Sequence, residues 1–210
     1  MQLFYLKNPK KKIILSTDES KHAIKVLRKK KGDILNFTDG KGNLYKGEIT
    51  ISDTRKCNLQ IISTELQKKQ HNYYLHIAIS PTKNIDRFKF FLEKATEIGI
   101  DEITPIICEH SERKVINTEK CKKILLSAIK QSIKYHLPKF NNSISLIDFL
   151  NLKHKGKKYI AHCQKLKKHE FKKEKIGKNI LVLIGPEGDF SKNEIEKAIQ
   201  NKYKSINLSN

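Results

Sequence analysis

The hydrophobic positions along the chain change period near residue 73. Up to that point apolar and polar residues alternate in short runs, as strands with one buried face do. Residues 34–38 and 44–51 flank Asp39-Gly40-Lys41-Gly42-Asn43, a turn sequence that predicts a hairpin. Residues 1–6, 13–15 and 57–63 read as further strands, and 20–30 as a short helix with Ala23, Ile24 and Leu27 on its apolar side. A small, mostly β body over residues 1–67 follows, expected to be a partly open barrel. Residues 65–72 are polar, without apolar period, and form the best linker.

Beyond the linker, strands alternate with helices. Residues 74–79, 103–107, 159–163 and 180–184 are apolar runs of strand length, and 205–208 begins a last one. Ile85, Phe88, Phe91, Leu92, Ala95 and Ile98 recur at helical spacing, with Gly99 placed to end the helix. Residues 118–136 predict a second helix that stops before Pro138. The lysine-rich stretch 165–178 reads as a solvated connecting helix. Such alternation implies an α/β domain over 73–210 with a parallel sheet and helices on both faces.

The stretch 180–202 organises this half. Ile180 to Ile184 is uniformly apolar, the signature of a strand buried on both faces. Gly185-Pro186-Glu187-Gly188 breaks it sharply, and Ser191 and Glu194 have the spacing of a capping box, with Phe190 and Ile195 as a hydrophobic staple. Strand, glycine loop and capped helix follow one another, with the loop at the carboxyl end of the strand, where open α/β sheets bind ligands. The competing reading makes Gly and Pro a plain turn and Glu187 a solvated carboxylate. The loop is neither a Walker loop nor a dinucleotide fingerprint.

Charge adds a polyanion to the picture. The formal net charge is +21, with 16 Lys and Arg against 7 Asp and Glu in residues 1–70 and 27 against 15 in the rest. A basic surface over both halves suits nucleic acid; drift toward lysine in an AT-rich genome gives the same count. Only Arg28, Arg55, Arg87 and Arg113 are arginine among 43 basic residues, so these positions are candidates for bidentate recognition of phosphates, base edges or carboxylates. Cys57, Cys108, Cys121 and Cys163 have no metal or redox spacing and read as reduced thiols, and the histidines show no ligand spacing. No segment is apolar over a membrane-spanning length, and the N-terminus lacks the apolar core of a signal peptide. A cytoplasmic protein is expected, with no membrane and no metal.

Four ordered segments carry a family resemblance: His22 to Arg28 (H-A-I-K-V-L-R), Gly32 to Gly40 (G-D-I-L-N-F-T-D-G), Glu93 to Pro105 (E-K-A-T-E-I-G-I-D-E-I-T-P) and Ile184 to Phe190 (I-G-P-E-G-D-F). Together they resemble the RsmE family of 16S ribosomal RNA methyltransferases, over nearly the whole chain. The resemblance implies a PUA-like β-barrel followed by a SPOUT-class α/β domain with a trefoil knot. It also implies a homodimer, S-adenosylmethionine (SAM) as methyl donor, and methylation of a uridine N3 near the decoding centre of 16S rRNA in the small ribosomal subunit.

Carried over by position, Leu183, Ile184, Gly185, Pro186, Glu187, Gly188 and Leu208 would line the SAM pocket. Arg28, Lys94 and Arg113 would hold RNA. Arg113 would also position the substrate, and Glu187 would be the candidate proton acceptor. Gln131-Ser132 matches a family helix motif. Three departures stand out: Asp189 replaces a frequent glycine, His110 a frequent arginine, and the chain stops at Asn210 where relatives continue past Leu208 with a segment like R-I-L-R-T-E-T-A. The last implies a SAM pocket short of one wall and weak methylation by this form. A non-catalytic rRNA-binding protein and a generic nucleotide-binding α/β domain are the alternatives; the missing Walker and dinucleotide patterns disfavour the latter.

Overall fold

A computed structural model describes residues 2–164, 169–170 and 177–207. The chain divides into two compact bodies: Met1–Gln70 with Leu126–Leu137, and His71–Leu125 with Pro138–Asn210.

The first body is a five-stranded curled sheet in the order β1-β3-β4-β5-β2. Its strands are β1 (Leu3–Tyr5), β2 (Lys12–Ile14), β3 (Ile34–Thr38), β4 (Asn43–Ile51) and β5 (Asn58–Leu66). The β3–β4–β5 meander is antiparallel, and β1 joins β3 in parallel. Register shifts at Lys46/Gly47 and Ile49/Ile51 bend the long strands, as bulges do. Gly47 has to be small there, because a Cβ would stand 2.9 Å from the Phe37 ring. Phe4, Phe37, Ile49 and Leu59 fill the concave side. The hairpin turn forms as expected: the Asp39 carboxylate accepts the N–H groups of Lys41 and Asn43, the Asn43 amide and the Tyr45 hydroxyl.

Two expectations shift here. The helix begins earlier than residue 20, as α1 (Thr17–Lys21), because Ser16 caps it by accepting the Glu19 N–H. It continues as a wider π-turn over His22–Val26 and closes at Arg28, whose φ of 54° turns the chain left-handed. The body is also not limited to residues 1–67. Tyr135 accepts hydrogen bonds at its carbonyl from Thr38 Oγ1 and Gly42 N–H, so residues 126–137 belong to it.

The second body is a parallel sheet in the order β11-β13-β10-β12-β6-β7-β8, with β9 paired to β7. Its strands are β6 (Tyr74–Ile79), β7 (Glu102–Ile107), β8 (Lys139–Phe140), β9 (Ile144–Ser145), β10 (Lys157–Ala161), β11 (His169–Glu170), β12 (Asn179–Ile184) and β13 (Lys204–Asn207). The helices are α2 (Ile85–Ile98), the first part of α3 (Thr118–Gln131), whose residues from 126 on belong to the first body, α4 (Leu146–Asn151) and α5 (Lys192–Gln200). Strand β12 is hydrogen-bonded on both edges, to β6 and β10. Leu181 and Leu183 face one core with Phe190 and Ile195, while Ile180 and Val182 face another with Tyr159 and Ile206. That two-sided burial is what the uniform apolar run encoded.

Helix α2 ends at Gly99, φ 112°, as expected, but its apolar stripe is not all core. Phe88 and Leu92 are buried, whereas Ile98, at the end of the stripe, is 79% exposed. Helix α3 stops at Gln131, short of 136, because Ile133 takes a φ of 53°. Helix α4 was not anticipated; Ser145 caps it by accepting the Asp148 N–H, and Leu146, Phe149 and Leu150 are buried. The connecting helix expected over 165–178 falls almost wholly outside the described residues. Within it, His169 and Glu170 pair as a strand with Ile206 and Asn207. No described helix is long and apolar enough to cross a membrane.

Candidate functional site

Three neighbouring parallel strands, β13, β10 and β12, end side by side, and the loops leaving their carboxyl ends form a cleft. It is lined by Ala161, His162 and Cys163 after β10, by Ile184 to Glu187 and Asp189 after β12, and by Ile206 and Asn207 of β13. Its volume is about 260 Å³, at the small end for a site that holds an organic ligand. Glu187 and Asp189 are the only formally charged side chains among the described lining residues, on a chain of net charge +21.

The loop after β12 is held from several sides. The capping box is complete: Ser191 Oγ accepts the Glu194 N–H at 3.3 Å, and Glu194 Oε2 accepts the Ser191 N–H at 2.9 Å. The other Glu194 oxygen accepts the Glu109 N–H at 2.8 Å, so one buried carboxylate joins α5 to the loop after β7. His110 Nδ1 lies 3.0 and 3.1 Å from the carbonyls of Gly188 and Asp189. Both partners are acceptors, so this nitrogen carries the proton. Ser111 accepts the Cys108 N–H and pairs with Ser80 Oγ at 2.8 Å, tying in the segment after β6.

The glycines serve packing. A Cβ on Gly185 would meet the Phe190 ring at 3.0 Å, and one on Gly188 would meet His110 Cβ at 3.2 Å. Bare of a Cβ, both glycines let the Phe190 ring and His110 close against the loop, and Gly185 borders the cleft. Asp189 has a φ of 60°, the left-handed conformation for which glycine is the usual choice and Asp an acceptable one.

The predicted catalytic pair sits at the edge of this arrangement. Glu187 borders the cleft, and its Oε1 and Oε2 lie 3.1 and 3.4 Å from the Lys83 nitrogen, accepting its N–H. Arg113 donates from Nε to the Thr82 carbonyl at 3.1 Å and from Nη2 to the Lys83 carbonyl at 2.7 Å. Both residues therefore grip the segment that follows β6. Leu183 and Ile184 form the end of β12, Ile184 and Pro186 line the cleft, and Leu183 is fully buried beneath it. Leu208 lies outside the described residues.

The predicted RNA contacts are distributed over both bodies, Arg28 in the first and Lys94 and Arg113 in the second. Arg28 belongs to the first body, at its left-handed turn. Lys94, on α2, has its ammonium between Glu93 and Glu97, 2.9 Å from each. Residues missed by the sequence reading are His110, Asp189 and Glu194 as clasps; only Glu194 had a signal, the capping-box spacing. Among the described residues no cluster of His, Cys, Asp and Glu could hold a metal ion.

A second polar cluster lies toward the amino ends of the strands. His76 Nε2 pairs with Thr104 Oγ1 at 2.7 Å, and Glu102 accepts from Tyr74, Lys139 and Asn141. Burial pushes the His76 imidazole down to about 4, so its 3.9 Å approach to Glu102 is not an ion pair at neutral pH. Burial alone would raise Glu102, but the hydrogen bonds from Lys139, Asn141 and Tyr74 hold it down to about 2.

Comparison with known proteins places this geometry. Residues 69–210 match the RNA methyltransferase domain family, and residues 15–62 match the RNA methyltransferase PUA domain family. The ribosomal RNA small subunit methyltransferase E 2 of Borreliella burgdorferi is 33% identical over 191 residues, covering 83% of this chain and 73% of that protein. A probable rRNA-methyltransferase from Porphyromonas gingivalis superposes with a TM-score of 0.94 at 33% identity, over 100% of this chain and 90% of that one. The fold is shared with a ribosomal RNA small subunit methyltransferase E from Neisseria gonorrhoeae bound to S-adenosyl methionine, at a TM-score of 0.88 and 20% identity, over 100% and 90% of the two chains.

Proposed function

Because the chain belongs to the ribosomal RNA small subunit methyltransferase E family, we propose that it methylates 16S rRNA with SAM as donor, at N3 of a uridine near the decoding centre. It acts on the small ribosomal subunit in the cytoplasm, as a homodimer. The observation that carries this reading is the cleft at the strand ends, whose charged side chains are carboxylates on a strongly basic chain. A nucleotide polyphosphate would be repelled there; a cofactor bearing a sulfonium and an ammonium is attracted. The donor set thus fits SAM and disfavours a phosphate-binding α/β domain.

When bound, SAM supplies a methyl group already activated on sulfur, so the residues have mainly to align and deprotonate the acceptor. The loop Ile184 to Gly188 would hold the cofactor through its backbone, next to the buried Leu183, and Leu208 is the further residue proposed to contact it. Lys83 N–H orients the Glu187 carboxylate, which accepts the proton leaving uridine N3. Arg113, its plane fixed by the carbonyls of Thr82 and Lys83, directs its remaining donors to a uracil oxygen and stabilises the charge that develops there. Arg28 and Lys94 belong to the RNA-facing surface.

The test is titration of SAM into the protein, followed by methyl transfer to small subunits lacking the modification and mapping of the modified base. Saturable SAM binding and one N3-methyluridine in 16S rRNA are expected. RNA binding without SAM binding would leave a non-catalytic rRNA-binding protein instead.

A further inference from the structure

Asp189 uses all three of its polar groups on three different segments. Its N–H donates to the Pro186 carbonyl at 3.0 Å, within its own turn. Its carbonyl accepts from His110 Nδ1 at 3.1 Å, in the loop after β7. Its carboxylate Oδ2 accepts the Cys163 N–H at 2.8 Å, in the loop after β10. Cys163 and Asp189 both line the cleft, on loops leaving the adjacent strands β10 and β12. The Cys163 bond therefore ties the two loops together where they line the cleft, and Gln164 Nε2 donates to the Phe190 carbonyl at 3.2 Å, joining the same loops.

A glycine would serve the backbone at φ 60° better than Asp does. What Asp adds is the acceptor for Cys163. Without it, the two loops lose this bond and keep the Gln164 amide bond to the Phe190 carbonyl, and the backbone N–H of an exposed loop residue turns to water. A bond between two walls of a site acts by preorganisation: it removes loop freedom that the ligand would otherwise have to freeze.

We propose that Asp189 is a positioning residue for the cofactor, a staple from the loop after β12 to the Cys163 N–H that fixes the cleft before SAM enters. This rests on the reading of the cleft as the SAM site. The staple acts on cofactor affinity and leaves the RNA surface alone.

The experiment compares full-length Asp189→Gly and Asp189→Asn with the parent by calorimetric SAM titration, amide exchange at Cys163 and steady-state kinetics. Asp189→Gly keeps the left-handed turn and deletes the acceptor. It is expected to weaken SAM about tenfold, speed exchange of the Cys163 amide without ligand, and raise KM for SAM while kcat and KM for the RNA stay put. Its Tm is expected to hold, because the backbone is relaxed. Asp189→Asn keeps an acceptor and tolerates the turn, and is expected to bind SAM within about threefold of the parent. Parental SAM affinity in Asp189→Gly would overturn the staple and leave the SAM site standing. Equal weakening in both variants would overturn it too, by making the carboxylate charge a direct cofactor contact. A parent chain that binds no SAM would overturn the cleft reading and the staple together.

Discussion

Arg113 and Glu187 hold one residue from its two backbone sides. The Lys83 carbonyl accepts from Arg113 Nη2 at 2.7 Å, and the Lys83 N–H donates to Glu187 Oε1 at 3.1 Å. The two side chains assigned to positioning and proton transfer are thus coupled through a single loop residue.

Coupling of that kind is measurable. Arg113→Ala and Glu187→Ala are each expected to lower kcat on small subunits by about 10²-fold, the scale of a lost positioning or acid–base group. The double variant should fall by clearly less than the product of the two, since either change already frees Lys83. Fully multiplicative losses in a single-turnover assay would show that the two act independently.

Glu194 connects α5 to the loop after β7 through separate oxygens. Glu194→Gln puts an NH₂ group against one backbone N–H in a buried setting and should cost about 1–3 kcal/mol. Ser191→Ala removes only the cap and should cost about 1 kcal/mol. Urea denaturation ranks the pair, and the reverse order would contradict the bridge.

Acid stability should fall in two windows. Neutral His76 is favoured in the fold, down to about 4. The unfolded chain therefore takes this proton first, and the His76 contribution is complete above the ordinary histidine value of ~6.5 and is lost as pH falls toward 4. Glu102, held down to about 2, contributes above the ordinary glutamate value and is lost below it. His76→Gln should flatten Tm against pH in the upper window alone. An unchanged profile would remove His76 from the acid response.

RNA affinity should drop steeply with added salt, as expected for a chain of net charge +21. Arg28→Gly separates charge from fold: at φ 54° glycine relaxes the backbone, so stability should hold or rise while affinity falls. Lys94→Ala should matter less, because Glu93 and Glu97 already share that ammonium. Filter binding across a salt series checks both, and equal losses would show that the ion pairs with Glu93 and Glu97 do not weaken the Lys94 contact with RNA.

The elements whose apolar period matches their burial were legible in sequence: β6, β12, the D-G-K-G-N hairpin, α2 with its Gly99 end and the capped α5. The loop that borders the cleft was singled out because a strand, a glycine turn and a capping box follow one another. Helix α4 escaped because six residues carry too few turns to show a period. The inclusion of residues 126–137 in the first body rests on backbone bonds of Tyr135, which side-chain patterns do not encode. Likewise, Gly185 was legible as a glycine, but its close neighbour was not: the Phe190 ring, 3.0 Å from where a Cβ would stand, is five residues on and packs in the same core as Ile195.

The register of β12 has a consequence for how the protein is made. Its partners on the β6 side run from Tyr74↔Asn179 to Ile79↔Ile184, so the strand at the middle of the sheet is paired to one translated far earlier. During synthesis β6 and β7 emerge with an open edge and must wait, exposed, until β12 leaves the ribosome. The β3–β4 hairpin, closed by a short turn, has no such delay. Nascent chains arrested before residue 179 should therefore recruit chaperones or aggregate through the waiting edge of β6, and release of the chain past β12 should end that hazard within one folding event.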